Sequence, residues 1–289
     1  ICVCLVGSEM CIRDRLMTRL ITSGFSHFIL FIGILIMIVP VWMIFASSTH
    51  TGLTINTQGL QMFLGDSFYE NYLRVLLYQG GFFKEITALK MFLNSFIMAT
   101  GVAILSVITS LMAAYALVYY RTKYATLLFW IIFVTILVPL ELRIFPTYSV
   151  MAELNLVNSY FGLIVPISAS AIATLFFRQF YKTVPDELLE SAKLDGANTW
   201  RFFVDFLLPL SKTMIVAMLI FMFVFGYNQY LWPLLVTSSE QYWTVVMGLK
   251  MMSGSIVHRF AFVMMSMVPP ILIIIVLQKH FIKGVFQDK

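Results

Sequence analysis

Six long apolar runs constrain the fold of this chain more than any other feature of its sequence. They lie at about residues 27–46, 91–119, 125–145, 160–180, 212–235 and 260–281. The hydrocarbon core of a bilayer is about 30 Å thick, so a spanning helix needs about 20 mostly apolar residues. Because each run reaches that length, the sequence predicts an all-α membrane protein with six transmembrane helices.

Composition and charge support this prediction. The chain is 60% hydrophobic and 11% charged, whereas soluble domains contain roughly 25% charged residues. A net charge of +5 would suggest a nucleic-acid partner in a soluble protein, but here Lys and Arg lie in the short segments between apolar runs. Six spans place both termini on the same side of the membrane, and the segments on that side contain most of these cations. The positive-inside rule therefore predicts that both termini are cytoplasmic. No nucleic-acid partner is expected.

The first sixteen residues, ICVCLVGSEMCIRDRL, differ in character from the rest of the chain. The three cysteines of the chain all lie here, at Cys2, Cys4 and Cys11. They therefore predict neither a disulfide framework nor a metal site. We interpret residues 1–16 as a non-native leader that resembles translated adapter sequence, with Met17 opening the six-span domain of residues 17–289. A genuine cytoplasmic extension is the alternative, whereas a signal peptide is disfavoured because the first apolar run is too long.

The segment at about 181–211, between the fourth and fifth runs, carries helix-start and helix-stop signals. Thr183 lies two residues before a proline and predicts a helix start. Gly196 predicts its end, because glycine adopts the left-handed conformation of a C-terminal cap without steric cost. Asn198 or the following Thr can cap a second helix, which Pro209 would interrupt. The segment is therefore predicted to form two short helices joined at a glycine, an arrangement that we call the elbow.

The order of residues in the elbow resembles the EAA loop of binding-protein-dependent ABC importer permeases. The pattern of that loop is Glu-Ala-Ala, three residues, Gly, nine residues, Ile, one residue and Leu-Pro. The matching positions are Glu190, Ser191, Ala192, Gly196, Phe206, Leu208 and Pro209, with Asp195 and Ala197 beside the glycine. Ser191 in place of Ala and Phe206 in place of Ile are mild departures from the pattern.

The resemblance extends over the chain from Met17. The stretches LVPLELRIFPTYSV, ATLFFRQFYKTVPDELLESAKLDGA and GYNQYLWPLL are similar to MalG-type sugar permeases, and most to those of sn-glycerol-3-phosphate importers. The resemblance implies the type I ABC importer permease fold in the bacterial inner membrane. It also implies four kinds of partner: a homologous partner permease, an ATPase dimer, an external solute-binding protein and membrane lipid. Another sugar or polyol is the alternative solute.

The resemblance further implies that the elbow docks on the partner ATPase. Glu190 and Asp195 would contact basic residues there, Ala192 and Ala197 would allow close approach, and Gly196 would set the angle between the helices. The sequence contains no Gly-x-x-x-x-Gly-Lys-Ser/Thr phosphate-binding loop. We therefore expect a non-catalytic subunit that binds no cofactor directly, with ATP-Mg used by the ATPase.

Polar side chains inside the apolar runs are candidates for the translocation path, because a charge at the centre of a span costs about 2.5–3.5 kcal/mol. The candidates are Glu141, Arg143, Tyr227, Asn228 and Gln229. Amide side chains offer both donors and acceptors to a hydroxyl-bearing solute. The alternatives are a structural ion pair for Arg143 and hydrogen bonds between helices for the others. The four histidines show no ligand spacing, so no metal site is predicted.

A self-sufficient secondary transporter is a different class that shares this hydropathy profile. Such transporters often show an internal repeat and buried titratable groups for ion coupling. The sequence shows neither a clear repeat nor a cluster of Asp, Glu or His within the runs. The ABC importer interpretation is therefore preferred.

Overall fold

A computed structural model describes residues 26–77, 86–120, 123–252 and 254–286, so the predicted leader lies outside the described residues. In chain order the helices are α1 Ser26–Ser48, α2 Gly52–Gln58, α3 Phe68–Leu77, α4 Ala88–Tyr119, α5 Ala125–Leu137, α6 Leu140–Glu153, α7 Tyr160–Ile164, α8 Ala171–Tyr181, α9 Asp186–Leu194, α10 Thr199–Arg201, α11 Leu208–Leu210, α12 Lys212–Tyr227, α13 Leu231–Val236, α14 Val245–Met251 and α15 Ile256–Phe286. No strand occurs among the described residues.

Three helices, α1, α4 and α15, are each long and apolar enough to cross a membrane. Three bent pairs also qualify if each pair is counted as one span, which gives up to six spans. The pairs are Ala125–Leu137 with Glu141–Glu153, Tyr160–Ile167 with Ala171–Tyr181, and Thr199–Leu210 with Lys212–Tyr227. The fold class predicted from the apolar runs is thus an all-α membrane protein.

The chain divides into two compact units. The smaller contains the described residues up to Asn71 together with Ser255–Ala261. Within it, the Asn71 side-chain amide donates to the carbonyls of Ser48, at 2.9 Å, and His50, at 2.8 Å. These bonds fix the start of α3 to the segment that follows α1. Between α1 and α4 the described residues form two short helices, α2 and α3, and residues 78–85 are not described.

The larger unit is built around α4, against which α8 and α12 pack. Its 32 residues span about 48 Å at a rise of about 1.5 Å per residue. Alanines and serines recur along its buried face and allow close approach of neighbouring helices. At the crossing with α12, a Cβ added to Gly226 would lie 3.1 Å from the Ala99 Cα. The close approach of the two helices therefore favours glycine at this position.

The structure breaks three of the runs that were predicted as continuous spans. The run at 125–145 bends by 105° between α5 and α6, where Pro139 precedes the new helix. The run at 160–180 bends by 48° after a 3₁₀ turn that contains Pro166. The run at 212–235 ends at Tyr227, and helix α13 begins afterwards. The first two breaks have a proline beside them, and proline lacks the N–H that would continue the hydrogen-bond ladder.

Candidate coupling elbow and solute cavity

The turn of the elbow has the glycine cap that the sequence predicts. Gly196 has a φ of 79°, directly after α9 and the capping residue Asp195. Its N–H donates to the Lys193 carbonyl at 3.0 Å, and the Ala197 N–H donates to the Ala192 carbonyl at 2.9 Å. This pair of bonds is a Schellman motif, which satisfies the last carbonyls of the helix. The predicted helix stop at Gly196 is confirmed.

The other local predictions for the elbow have mixed outcomes. The Asn198 side chain accepts from the Arg201 N–H at 2.8 Å, so the cap of the second helix is confirmed. The helix start that Thr183 predicts is confirmed, since α9 begins at Asp186, but Thr183 does not cap it: its hydroxyl donates to the Phe180 carbonyl at 2.7 Å, and α9 has no side-chain cap. The second helix continues through a π-helical stretch, Phe202–Leu207, into α11 before the 74° bend to α12.

The base of the elbow is packed into the core of the larger unit. Ala192, Phe202 and Leu207 are fully buried there. The Tyr115 hydroxyl on α4 donates to the Thr199 carbonyl at 2.7 Å, which ties the second helix of the elbow to the longest helix of the unit. The close approach to an ATPase predicted for Ala192 does not fit this burial. Its small size instead lets α9 lie against its own chain.

The opposite face of the elbow is exposed and carries mixed chemistry. Five of the predicted coupling residues are exposed, as the predicted contact requires: Glu190, Ser191, Asp195, Gly196 and Pro209. Two others are half-buried, Ala197 and Leu208. Leu194 is 89% exposed and Trp200 is 62% exposed. We define Glu190, Leu194, Asp195, Gly196 and Trp200 as the elbow tip. Sequence reasoning missed Leu194 and Trp200, because an apolar residue in a short amphipathic helix is usually assigned to its packed face.

A cavity of about 340 Å³ lies elsewhere in the larger unit. Its lining residues come from the bends and from α12 and α13: Thr135, Ile136, Val138, Pro139, Arg143, Ile144, Thr147, Pro166, Ile167, Ala169, Ser170, Ala171, Ile172, Phe221, Met222, Phe225 and Trp232. The Trp232 indole N–H donates to the Gly162 carbonyl at 3.1 Å, which fixes one wall. The broken spans therefore create both the space and its polar lining.

Of the five residues predicted for the path, only Arg143 lines this cavity. Tyr227 is buried, and its hydroxyl donates to the Ser266 carbonyl at 3.0 Å. The Gln229 amide donates to the Phe225 carbonyl at 3.3 Å, while Asn228 is the exposed C-cap of α12. Glu141 is exposed outside the cavity. The bond of Tyr227 to α15 corresponds to the alternative role, a hydrogen bond between helices.

Comparison with known proteins assigns the chain to a class. Residues 106–287 match the family described as binding-protein-dependent transport system inner membrane component. The chain belongs to this family, and it is a multi-pass permease subunit of an ABC importer in the bacterial inner membrane.

Individual relatives are more specific. The chain is 40% identical over 271 residues to the sn-glycerol-3-phosphate transport system permease protein UgpE of Pectobacterium atrosepticum, covering 92% of this chain and 96% of the relative. It is 37% identical over 279 residues to UgpE of Brucella melitensis, covering 94% and 98%. A bacterial ABC transporter involved in the import of the acidic polysaccharide alginate has the same fold, with a TM-score of 0.76 at 23% identity and coverage of 90% and 96%.

Proposed function

We propose that this subunit forms half of the translocation path of an importer for sn-glycerol-3-phosphate and is driven by a separate ATPase. The observation that carries the proposal is the elbow, in which an exposed tip stands on a buried base. The names of the UgpE relatives support the choice of solute. The other half of the path comes from a homologous partner permease, and an external binding protein delivers the solute.

In this proposal the elbow tip binds a surface cleft of the ATPase. Exposed Leu194 and Trp200 supply apolar area, and the carboxylates of Glu190 and Asp195 contact basic residues of the cleft. The ATPase dimer hydrolyses ATP-Mg, and the permease performs no chemistry itself. Because Ala192 and Phe202 are locked in the core, displacement of the tip moves the helices behind it.

Vectorial uptake tests the function. The chain is reconstituted in proteoliposomes with its partner permease, its ATPase and the solute-loaded binding protein, and uptake of labelled sn-glycerol-3-phosphate is measured with and without ATP. We expect uptake only when ATP and all four components are present. Uptake without the ATPase would contradict the proposal in favour of a secondary transporter. ATP-dependent uptake of an uncharged sugar alone would contradict the choice of solute.

Cross-linking tests the docking surface. The native cysteines all lie within the first eleven residues, so their replacement by Ser leaves a background for single-cysteine variants. We expect Leu194→Cys to cross-link to the ATPase subunit. The matched variant is Leu53→Cys on α2, since Leu53 is also strongly exposed, at 75%, but lies in the smaller unit. Equal cross-linking of both variants, or of neither, would contradict docking through the tip.

A further inference from the structure

The cavity has an excess of positive charge. Arg143 is the one charged side chain among its lining residues. Within the described part of the chain, no carboxylate forms an ion pair with its guanidinium, and Glu141 on the same helix does not line the cavity. The Arg143 side chain is exposed to this space, so its guanidinium is available to donate to an occupant that carries the opposite charge. The cavity is therefore built for a negatively charged occupant.

The hydroxyl groups of the wall limit where such an occupant can be held. Thr135 and Thr147 donate to carbonyls of their own helices, at 2.6 and 2.7 Å, so their protons are already used. Ser170 differs, because its hydroxyl oxygen accepts from the Ala173 N–H at 3.1 Å and, within the described residues, its proton has no acceptor. Two side chains that line the cavity therefore have free donors: the guanidinium of Arg143 and the hydroxyl of Ser170.

We propose that this cavity is a binding site for the phosphate group of the solute during its passage, with Arg143 and Ser170 as the donors. This inference rests on the proposed function and assigns the anion-binding group to this subunit rather than to its partner. A planar guanidinium donates to two phosphate oxygens at once, and the hydroxyl of Ser170 supplies a donor for a third. Phe221, Phe225 and Trp232 add apolar wall area beside the guanidinium, where a charge interaction is screened less than in bulk water.

Transport by charge variants of the reconstituted complex is the first test. Arg143→Gln should lower the rate of sn-glycerol-3-phosphate uptake about tenfold or more, because it removes a charge-assisted hydrogen-bonding group. Arg143→Lys keeps the charge but loses the planar fork, so it should retain more activity than the Gln variant. Lys250→Gln is the matched control, since it removes a cation that does not line the cavity. Equal rates for Arg143→Gln and Lys250→Gln would overturn the inference.

Protection of Arg143 from chemical modification is the second test, and it requires no transport. The wild-type complex is purified in a maltoside detergent, which contains no phosphate, and is treated with phenylglyoxal, an arginine reagent. Modification of Arg143 is then measured by peptide mass spectrometry. We expect millimolar sn-glycerol-3-phosphate to slow the modification severalfold, whereas glycerol at the same concentration should not.

The protection assay also separates the solute from lipid, since a phospholipid headgroup carries the same phosphate chemistry. Phosphatidylglycerol is added in place of the solute in a parallel sample. Protection by the lipid alone, or by neither compound, would overturn the inference. If the wild-type complex shows no ATP-driven uptake, the proposed function fails, but protection by sn-glycerol-3-phosphate still supports the phosphate site. Normal uptake without protection overturns the site and leaves the proposed function intact.

Discussion

The elbow and the cavity belong to the same compact unit but are built in opposite ways. The elbow has fully buried residues at its base, Ala192 and Leu207 among them, and the Tyr115 hydroxyl ties it to α4. The cavity has about 340 Å³ of open space and an exposed arginine. Close-packed interiors transmit displacement, whereas a path needs room and contacts that release their ligand. The difference fits the proposed roles, in which the elbow transfers force and the cavity passes the solute.

Gly196→Val gives the largest expected effect, because it distorts the elbow at its turn. A non-glycine residue in the left-handed region costs roughly 1–2 kcal/mol, and a β-branched one costs more. Within the described chain no heavy atom beyond the adjacent residues lies within 4 Å of the added Cβ, so no clash inside the subunit contributes to the effect. We expect uptake to fall about tenfold or more with membrane insertion intact, measured as uptake per reconstituted complex.

The control for this variant is another glycine with a similar backbone. Gly59 after α2 has a φ of 77° and equally open surroundings, but it lies in the smaller unit. Its ψ of −162° is accessible essentially to glycine only, so Gly59→Val is strained at least as much. Near-normal uptake by Gly59→Val is expected. If both variants lose uptake equally, the loss reflects general strain, and the coupling role of the elbow is wrong.

Filling the cavity should have a smaller effect that is confined to transport. Ala169 is exposed on the cavity wall, so Ala169→Trp reduces the open space without burying a polar group. We expect uptake to fall severalfold while co-purification with the ATPase and the basal rate of ATP hydrolysis stay unchanged. Ala152→Trp, at an exposed alanine outside the cavity, is the control. Loss of ATPase binding in Ala169→Trp would mean that the two regions are not separable.

Local chemistry explains which parts of the structure could be predicted from the sequence. Helices α1, α4 and α15 follow from uninterrupted apolar runs, since burial of the backbone in lipid requires a helix. The turn at Gly196 follows because the cap depends only on neighbouring residues. The spacing of the elbow residues also predicts the family, because several fixed offsets coincide in the right loop.

The features that sequence reasoning missed depend on tertiary structure. The bend at Pro139 lies within an apolar run. Because the residues on both sides of the bend are apolar, the hydropathy pattern is the same as that of a straight helix. The burial of Ala192 and the exposure of Leu194 depend on which face of α9 packs, which a nine-residue helix does not specify. The partner of Tyr227, Ser266, lies in another helix, so no local pattern predicts the bond.

Tyr115→Phe gives the smallest expected effect and measures what one hydrogen bond contributes to the elbow. The variant removes the 2.7 Å bond to the Thr199 carbonyl but keeps the ring, which lies 4.9 Å from the ring of Phe203 between centroids. One such bond contributes about 0.5 kcal/mol at the lower end of the usual range, so solute transported per ATP hydrolysed should fall about twofold. Tyr120→Phe is the control, because Tyr120 is exposed and its ring also contacts Tyr115. An unchanged ratio in Tyr115→Phe would show that packing alone holds the base of the elbow.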